Sequence, residues 1–287
     1  EIWKSDKYVD YKDVPLIKRL QKYQRELPEE PQRVDYADKT IPWEEFLDCT
    51  AYFRSIVDAT HYIQPGGKKC IVDDYKRRKY LQRFLMCMLQ IAAPPQRSLT
   101  YALLEIDDSF RYGILEENEK IIPAKPGEGH WYMWCRKKYN DGKRDGYWSL
   151  GFKNHLFSNG KTFYDYIDLW IKKYREYCQK EEIKVTGKSF FLIPEGYTAY
   201  TPDAWGNGIR DMFMEITGVT VGQNCLRHMF VTQVERMNVS QHIRDGVALY
   251  QNHGEEIAHT VYNDRLARES MDAYDEIQED MMGSLLE

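Results

Sequence analysis

Apolar residues recur every three or four positions along most of this chain, which is the period of an α-helix with one buried face. The pattern is clearest over residues 70–92, where Tyr80, Phe84 and Met88 lie on one side of a helix. The same period predicts further helices, at residues 10–26, 42–64, 97–105, 162–180, 203–216, 223–238, 240–250 and 255–263.

One stretch departs from the helical period. Residues 130–135 are aromatic and strand-like, residues 140–142 read Asn-Asp-Gly, and residues 146–152 are strand-like again. Two strands joined by such a turn form a β-hairpin. The pattern therefore predicts a mainly α fold with a small antiparallel β-sheet or hairpin, which is an α+β class.

Prolines and charges divide the chain into three predicted parts. Pro28 and Pro31 interrupt the helical pattern after the first helix, so residues 1–39 are expected to form an N-terminal arm or linker helix. Residues 40–268 hold most of the apolar pattern and form the expected main domain. Because the chain begins at Glu1 without a methionine, we expect an upstream domain to be absent or removed.

Residues 269–287 form the third part, an acidic tail that carries scattered apolar side chains. These apolar residues are Ile277, Met281, Met282, Leu285 and Leu286. We expect a C-terminal helix that docks on a neighbouring protomer. The alternative is a frayed terminus that packs on nothing.

Composition excludes several classes of protein. With 287 residues, of which 43% are hydrophobic and 30% charged, the chain can build a core and is not generally disordered. Its longest apolar stretch, residues 84–93, is about half of the roughly 20 residues that a membrane-spanning helix needs. None of its six cysteines forms a Cys-x-x-Cys pair, which argues against a zinc ribbon and favours reduced thiols inside a cell.

The net charge of −5 argues at first against a nucleic-acid partner. A phosphate backbone, however, responds only to charges within about 10 Å, so local clusters matter more than the total. Basic clusters lie in the first half of the chain, at residues 68–69, 76–79, 136–138 and 143–144. They make a DNA-facing surface plausible, although any single cluster is more often a solvated helix face.

Four residues stand out by their types and spacing. Arg227 projects away from the apolar face of the predicted helix over residues 223–238. His253 lies in a turn after the next helix, and Tyr262 follows it by nine residues. Upstream, Arg97 opens a predicted helix, and lysines lie at the end and tip of the predicted hairpin.

This order resembles the catalytic domain of the tyrosine recombinases, the phage integrase family. The resemblance covers residues 90–265 and comprises an early arginine, a hairpin lysine, an Arg-His pair, and a histidine nine residues before a tyrosine. Two positions depart from the family pattern. Asn224 stands where the second motif begins with histidine or lysine, and Thr100 stands where an acid follows the first arginine.

The resemblance implies a role for each residue in metal-free DNA cleavage. Such a reaction needs a nucleophile, cations that bind the non-bridging phosphate oxygens, and an acid for the leaving oxygen. The implied assignments are Tyr262 as nucleophile, Arg97 and Arg227 as phosphate clamp, His253 and Asn224 as hydrogen-bond donors, and Lys138 as general acid. Lys137 and Lys143 compete with Lys138 for that last role.

The implied function is site-specific DNA recombination or integration, as in mobile elements, through a covalent 3′-phosphotyrosyl intermediate. The implied partners are double-stranded DNA and three further copies of the chain, as a homo-tetramer on two duplexes. We expect no membrane contact, no cofactor and no metal, and an intracellular location with the target DNA, in the cytoplasm, nucleoid or nucleus.

Rival interpretations remain open at the level of sequence. A type IB topoisomerase or a telomere resolvase shares the phosphotyrosine chemistry, although the nine-residue spacing favours the recombinases. A DNA-binding member that lost its activity would also explain Asn224 and Thr100. Individually, Arg97 and Arg227 could form surface salt bridges, and His253 could cap a turn.

Overall fold

The computed structural model describes residues 15–26, 37–63, 67–116, 120–135, 148–175, 187–194, 198–251, 274–275 and 277–286. The chain divides into two compact units, Glu1–Asp38 and Lys39–Glu287. In the first unit, helix α1 (Pro15–Glu26) carries the exposed apolar side chains Leu16, Leu20 and Tyr23. Beside the boundary lies a short 3₁₀ helix, Ala37–Lys39.

Helices dominate the second unit. They are α2 (Trp43–Asp58), α3 (Asp74–Ile91), α4 (Ser98–Ala102), α5 (Phe163–Leu169), α6 (Pro202–Thr217), α7 (Gln223–Arg236) and α8 (Gln241–Tyr250). A π-helix, Trp170–Arg175, continues α5, and a 3₁₀ helix, Gly283–Leu285, lies near the C-terminus. Side-chain caps fix several starts: Asp73 accepts from the backbone nitrogen of Lys76 at 2.7 Å, and Thr162 forms a capping box with Asp165.

Two antiparallel sheets accompany these helices. Strands β1 (His61–Ile63) and β2 (Lys69–Ile71) form a two-stranded ribbon. The larger sheet has the order β4-β3-β5-β6, from β3 (Phe110–Leu115), β4 (Ile121–Ile122), β5 (His130–Cys135) and β6 (Trp148–Phe152). The predicted class, mainly α with a small antiparallel sheet, is confirmed, and β5 pairs with β6 as the predicted hairpin.

Two features of this architecture differ from the sequence prediction. The helix predicted to end near residue 64 ends at Asp58, and β1 follows with Tyr62 buried between two exposed neighbours. The Lys76 ammonium lies 3.3 Å from the centre of the Tyr62 ring and holds the ribbon against the start of α3. Strands β3 and β4 were not predicted, because Gly113 interrupts their short apolar pattern. A side chain at this position would clash with the carbonyl oxygen of Ile122 on β4, so the close pairing of the two strands requires glycine.

The core lies between α2, α3 and α5. Phe46, Phe53 and Phe84 are fully buried, and Phe84 meets the edge of the Tyr166 ring with 4.9 Å between ring centroids. The middle of α3, residues 84–89, is almost completely buried, as its continuous apolar sequence requires. None of the helices in the described part of the chain has the length and apolar character needed to cross a bilayer.

The C-terminal segment, residues 274–275 and 277–286, packs on its own chain. Met281, Met282 and Leu285 have no exposed surface. Trp43 of α2 donates its indole N–H to the carbonyl of Met281 at 2.9 Å, and Arg54 donates to that of Leu285 at 2.8 Å. Ile277, Met281, Met282 and Leu285 are thus buried within one chain, while Leu286 is half-buried. Docking of this segment on a neighbouring protomer stays a prediction.

Candidate active site

Arg97 lies beside the start of α7, although the two are far apart in sequence. Arg97 is half-buried and immediately precedes α4. The side-chain amide of Gln223, the first residue of α7, donates to the backbone carbonyl of Gln96 at 2.8 Å. The chain just before Arg97 is therefore hydrogen-bonded to the first turn of α7, where Asn224 also lies.

Arg227 joins α7 to the end of α8. Its side chain is only 6% exposed, and its Nη2 donates to the backbone carbonyl of Gln251. Gln251 follows α8 directly and lies two residues before His253. The structure thus brings together three of the sequence segments that carry the predicted site: the one at Arg97, the start of α7 and the end of α8.

Three predicted site residues, Lys138, His253 and Tyr262, lie outside the described residues. Their placement therefore stays a prediction. Asn224 is described and is exposed in the first turn of α7, three residues before the buried Arg227. Gly222 precedes this helix without a side-chain cap, so the backbone N–H groups of the first turn present partial positive charge.

The departure at Thr100 has a structural account. Thr100 is buried, with 6% of its surface exposed, and its backbone nitrogen donates to the carbonyl of Arg97 at 3.0 Å in the first turn of α4. An acid at this position would place a carboxylate in a buried environment, which is costly without a partner. Asp107, between α4 and β3, has a left-handed φ of 62° and lies in the turn into β3.

A group of buried amides beside Arg97 was missed from the sequence. Gln90, Gln96 and Gln223 are each at most 4% exposed, and the Gln223 amide donates both to the Gln90 side chain and to the Gln96 backbone carbonyl. The available signal was Gln90, a polar residue inside the apolar stretch over residues 84–93, because a buried amide must find partners.

The basic clusters are only partly available to a ligand. Arg78 is 4% exposed and donates to the carbonyl of Pro194 at 2.6 Å, and Arg77 donates to that of Ala59 at 3.0 Å. These two arginines hold the fold together, which corrects the expectation that the whole cluster at residues 76–79 faces DNA. Lys68 and Lys69 are exposed on the ribbon, while residues 136–138 and 143–144 lie outside the described residues.

Within the described residues, no three His, Cys, Asp or Glu side chains lie together in a way that could hold a metal ion. The thiols of Cys49, Cys70, Cys87 and Cys225 are free. Burial raises the pKa of Cys49 to about 11, so this thiol stays protonated at neutral pH.

Known proteins resemble this chain only distantly, and the resemblance is one of structure. No protein-family model matches the chain. No curated protein matches it either. A solved structure titled "Crystal structure of XerA recombinase" aligns with 14% sequence identity and a TM-score of 0.44, covering 86% of this chain and 66% of that one. The chain thus spans just under two thirds of that protein's length, and the likeness extends no further than a distant similarity of fold.

Proposed function

We propose that this chain is a DNA strand transferase of the tyrosine recombinase kind, which breaks and rejoins duplex DNA through a covalent 3′-phosphotyrosyl intermediate. One observation carries the proposal. The segment before Arg97 and the helix that carries Asn224 and Arg227 are joined by a buried hydrogen bond from Gln223 to Gln96. Arg227 in turn donates to the carbonyl of Gln251, two residues before His253. Residues matched to one family's motif by spacing alone have no reason to be joined in this way.

The proposed reaction begins with attack on phosphorus. The Tyr262 phenolate oxygen forms a bond to the scissile phosphorus after its proton passes to a base or to water, and the bond to the 5′-oxygen breaks. Lys138 donates a proton to the departing 5′-oxygen. The products are a 3′-phosphotyrosyl bond and a free 5′-hydroxyl, and the reverse steps with a second 5′-hydroxyl rejoin the strand.

Arg97 and Arg227 are proposed to stabilise the charge that develops on the non-bridging oxygens. A guanidinium group keeps its charge at all relevant pH values and can bind two phosphate oxygens at once. The carbonyl of Gln251 fixes one nitrogen of Arg227, which orients the remaining donors before DNA binds. The first turn of α7 is proposed to add its backbone N–H groups and the exposed Asn224 amide as further donors.

The experiment that tests this function compares two tyrosine variants on a suicide DNA substrate. We expect Tyr262→Phe to bind DNA with unchanged affinity but to form no protein–DNA adduct, because only the nucleophile is lost. Tyr250→Phe, the matched control, should form the adduct at the parent rate. Peptide mapping of the parent adduct should place the nucleotide on Tyr262. An adduct formed by Tyr262→Phe would contradict the assignment.

The strongest rival is a DNA-binding member of the family without activity, which Asn224 favours because an asparagine amide carries neither charge nor a transferable proton. That protein would bind duplex DNA and form no adduct in its parent form. Site-specific recombination, integration and assembly as a tetramer on two duplexes are further proposals. Strand exchange between two labelled duplexes would test these proposals. A type IB topoisomerase, by contrast, would relax supercoiled plasmid of any sequence.

A further inference from the structure

The Gln223 side chain makes three hydrogen bonds in a buried environment. Its amide nitrogen donates to the carbonyl of Gln96 at 2.8 Å and to the side-chain oxygen of Gln90 at 2.5 Å. Its own oxygen accepts from the indole N–H of Trp205 at 2.9 Å. Both hydrogens of the amide are therefore used, and the side chain has one orientation.

The partners of Gln223 are fixed in turn. Gln90 donates to the carbonyl of Met86, one turn back in α3, at 3.0 Å. The backbone nitrogen of Gln96 donates to the Tyr101 hydroxyl at 3.0 Å, and the Tyr101 ring stacks on Trp205 with 5.3 Å between centroids. Helices α3, α4, α6 and α7 thus each contribute to a single network around this amide.

This network lies next to both arginines of the proposed clamp. Gln96 immediately precedes Arg97, and Gln223 lies one helical turn before Arg227. The hydrogen bond between Gln223 and the carbonyl of Gln96 is therefore a short link between the two backbones that carry the guanidinium groups. A shift of either backbone changes the distance between those groups.

We propose that Gln223 is a positioning residue that sets the spacing of Arg97 and Arg227 around the scissile phosphate. The inference rests on the proposed function, because it needs both arginines to bind one phosphate. Catalytic groups must be held to about 0.5 Å, and a displacement of about 1 Å can cost a hundredfold in rate. An exposed glutamine could not provide that rigidity, whereas a fully hydrogen-bonded buried amide can.

A substrate without one phosphate charge separates positioning from simple stabilisation of the core. In a methylphosphonate, a methyl group replaces one non-bridging oxygen, and the reacting group loses its negative charge. The spacing of two cations then matters much less, because less charge has to be neutralised. A variant that misplaces the arginines should be slow on phosphate and close to normal on methylphosphonate.

The experiment measures single-turnover cleavage by the full chain on both substrates, with Gln223→Met and Gln82→Met as matched variants. Gln82 is also a buried glutamine, 3% exposed, but it accepts from the backbone nitrogen of Leu192. It lies eight residues before Gln90 on α3, about 12 Å away along the helix. We expect Gln223→Met to cleave phosphate about 30-fold more slowly and methylphosphonate within about threefold of the parent. Gln82→Met should slow both substrates by one similar, small factor.

The outcomes separate the inference from the proposed function. If the parent forms an adduct and Gln223→Met slows both substrates equally, the positioning role is wrong while the proposed function stands. If the parent forms no adduct on either substrate, the proposed function fails, and the inference fails with it. If Gln223→Met does not fold, Gln90→Met can be used instead, because it removes only one acceptor of the network. We expect this variant to show the same preference for methylphosphonate, with a smaller difference between the two rates.

Discussion

At the scale of single residues, the arginines of this chain have different uses that their sequence context does not reveal. Arg78 is part of a basic run and was expected at a surface, yet it is buried and holds the carbonyl of Pro194. Arg227 is similarly buried, and its guanidinium donates to the carbonyl of Gln251 just after α8. Burial of an arginine therefore does not by itself mark a functional residue. The two arginines differ in which segments of the chain they join.

Asn224 is the residue on which the proposed chemistry is most directly measured. Its amide is exposed in the first turn of α7 and can donate one neutral hydrogen bond to a non-bridging oxygen. Loss of one such donor costs roughly 2.7–4 kcal/mol in well-studied hydrolytic sites. We expect Asn224→Ala to slow cleavage about a hundredfold or more, with DNA affinity little changed.

Two further substitutions at Asn224 act as controls for charge. Asn224→Asp should be slower than Asn224→Ala, because a carboxylate would repel the phosphate. Asn224→His should cleave at least as fast as the parent, since imidazole restores the donor typical of the family. Parent-like rates for the Ala and Asp variants on one suicide substrate would show that Asn224 lies outside the site.

At the scale of elements, strong local signals were predictable and weak ones were not. Helix α6 begins at Pro202 after the capping Thr201 and ends just before Gly218, and all three residues are visible in the sequence as helix start and stop signals. The ribbon of β1 and β2 was missed, because three-residue strands gain their stability from pairing and from Lys76 on another element. Local propensity carries no information about such contacts.

The residues of the predicted site also divide into those that local sequence signals indicate and those that they do not. Arg97, Asn224 and Arg227 could be singled out by spacing, because the start of a helix fixes which residues share its first turns. The buried amides that join them could not, because the partners of Gln223 come from two other helices and from the segment before α4. The position of the C-terminal segment was also beyond reach, since an amphipathic helix fits its own groove and a neighbour's equally well.

The stability of the fold should depend on pH through His155. This histidine is 7% exposed, and burial, together with nearby Lys153, lowers its pKa to about 4, while Gln278 of the C-terminal segment acts in the opposite direction. The unfolded chain, with an ordinary histidine pKa of about 6.5, binds more protons than the folded chain between about pH 4 and pH 6.5. Folding stability from this group is therefore complete above that window and is lost as the pH falls through it.

The corresponding experiment is urea unfolding at pH 7 and pH 5. We expect His155 to account for about 2 kcal/mol of the stability lost between these values. His155→Gln removes the titrating group and keeps a polar side chain, so its loss over the same range should be smaller by about that amount. Equal losses in the parent and the variant would show that His155 is not held neutral by the fold.

At the scale of the whole molecule, the net charge of −5 and a DNA substrate are compatible only if charge is segregated. The described residues show such segregation in part. Lys68 and Lys69 are exposed on the ribbon, whereas Glu279 and Asp280 are exposed on the C-terminal segment. Arg77 and Arg78 do not contribute freely to a basic surface, because both are engaged with backbone carbonyls.

The affinity for duplex DNA should therefore fall steeply with salt, with a slope of about −0.9 in log K against log salt for each phosphate neutralised. Reversing both charges at Lys68 and Lys69 to Glu should lower the affinity and make the slope shallower by roughly two. Reversal of Glu279 and Asp280 to Lys is the matched control, and it should leave the slope unchanged because acidic side chains neutralise no phosphate in the parent. Fluorescence anisotropy over a range of salt concentrations gives both slopes. A salt-independent affinity, or equal slopes in the parent and the Lys68 and Lys69 variant, would mean that the ribbon does not face the DNA.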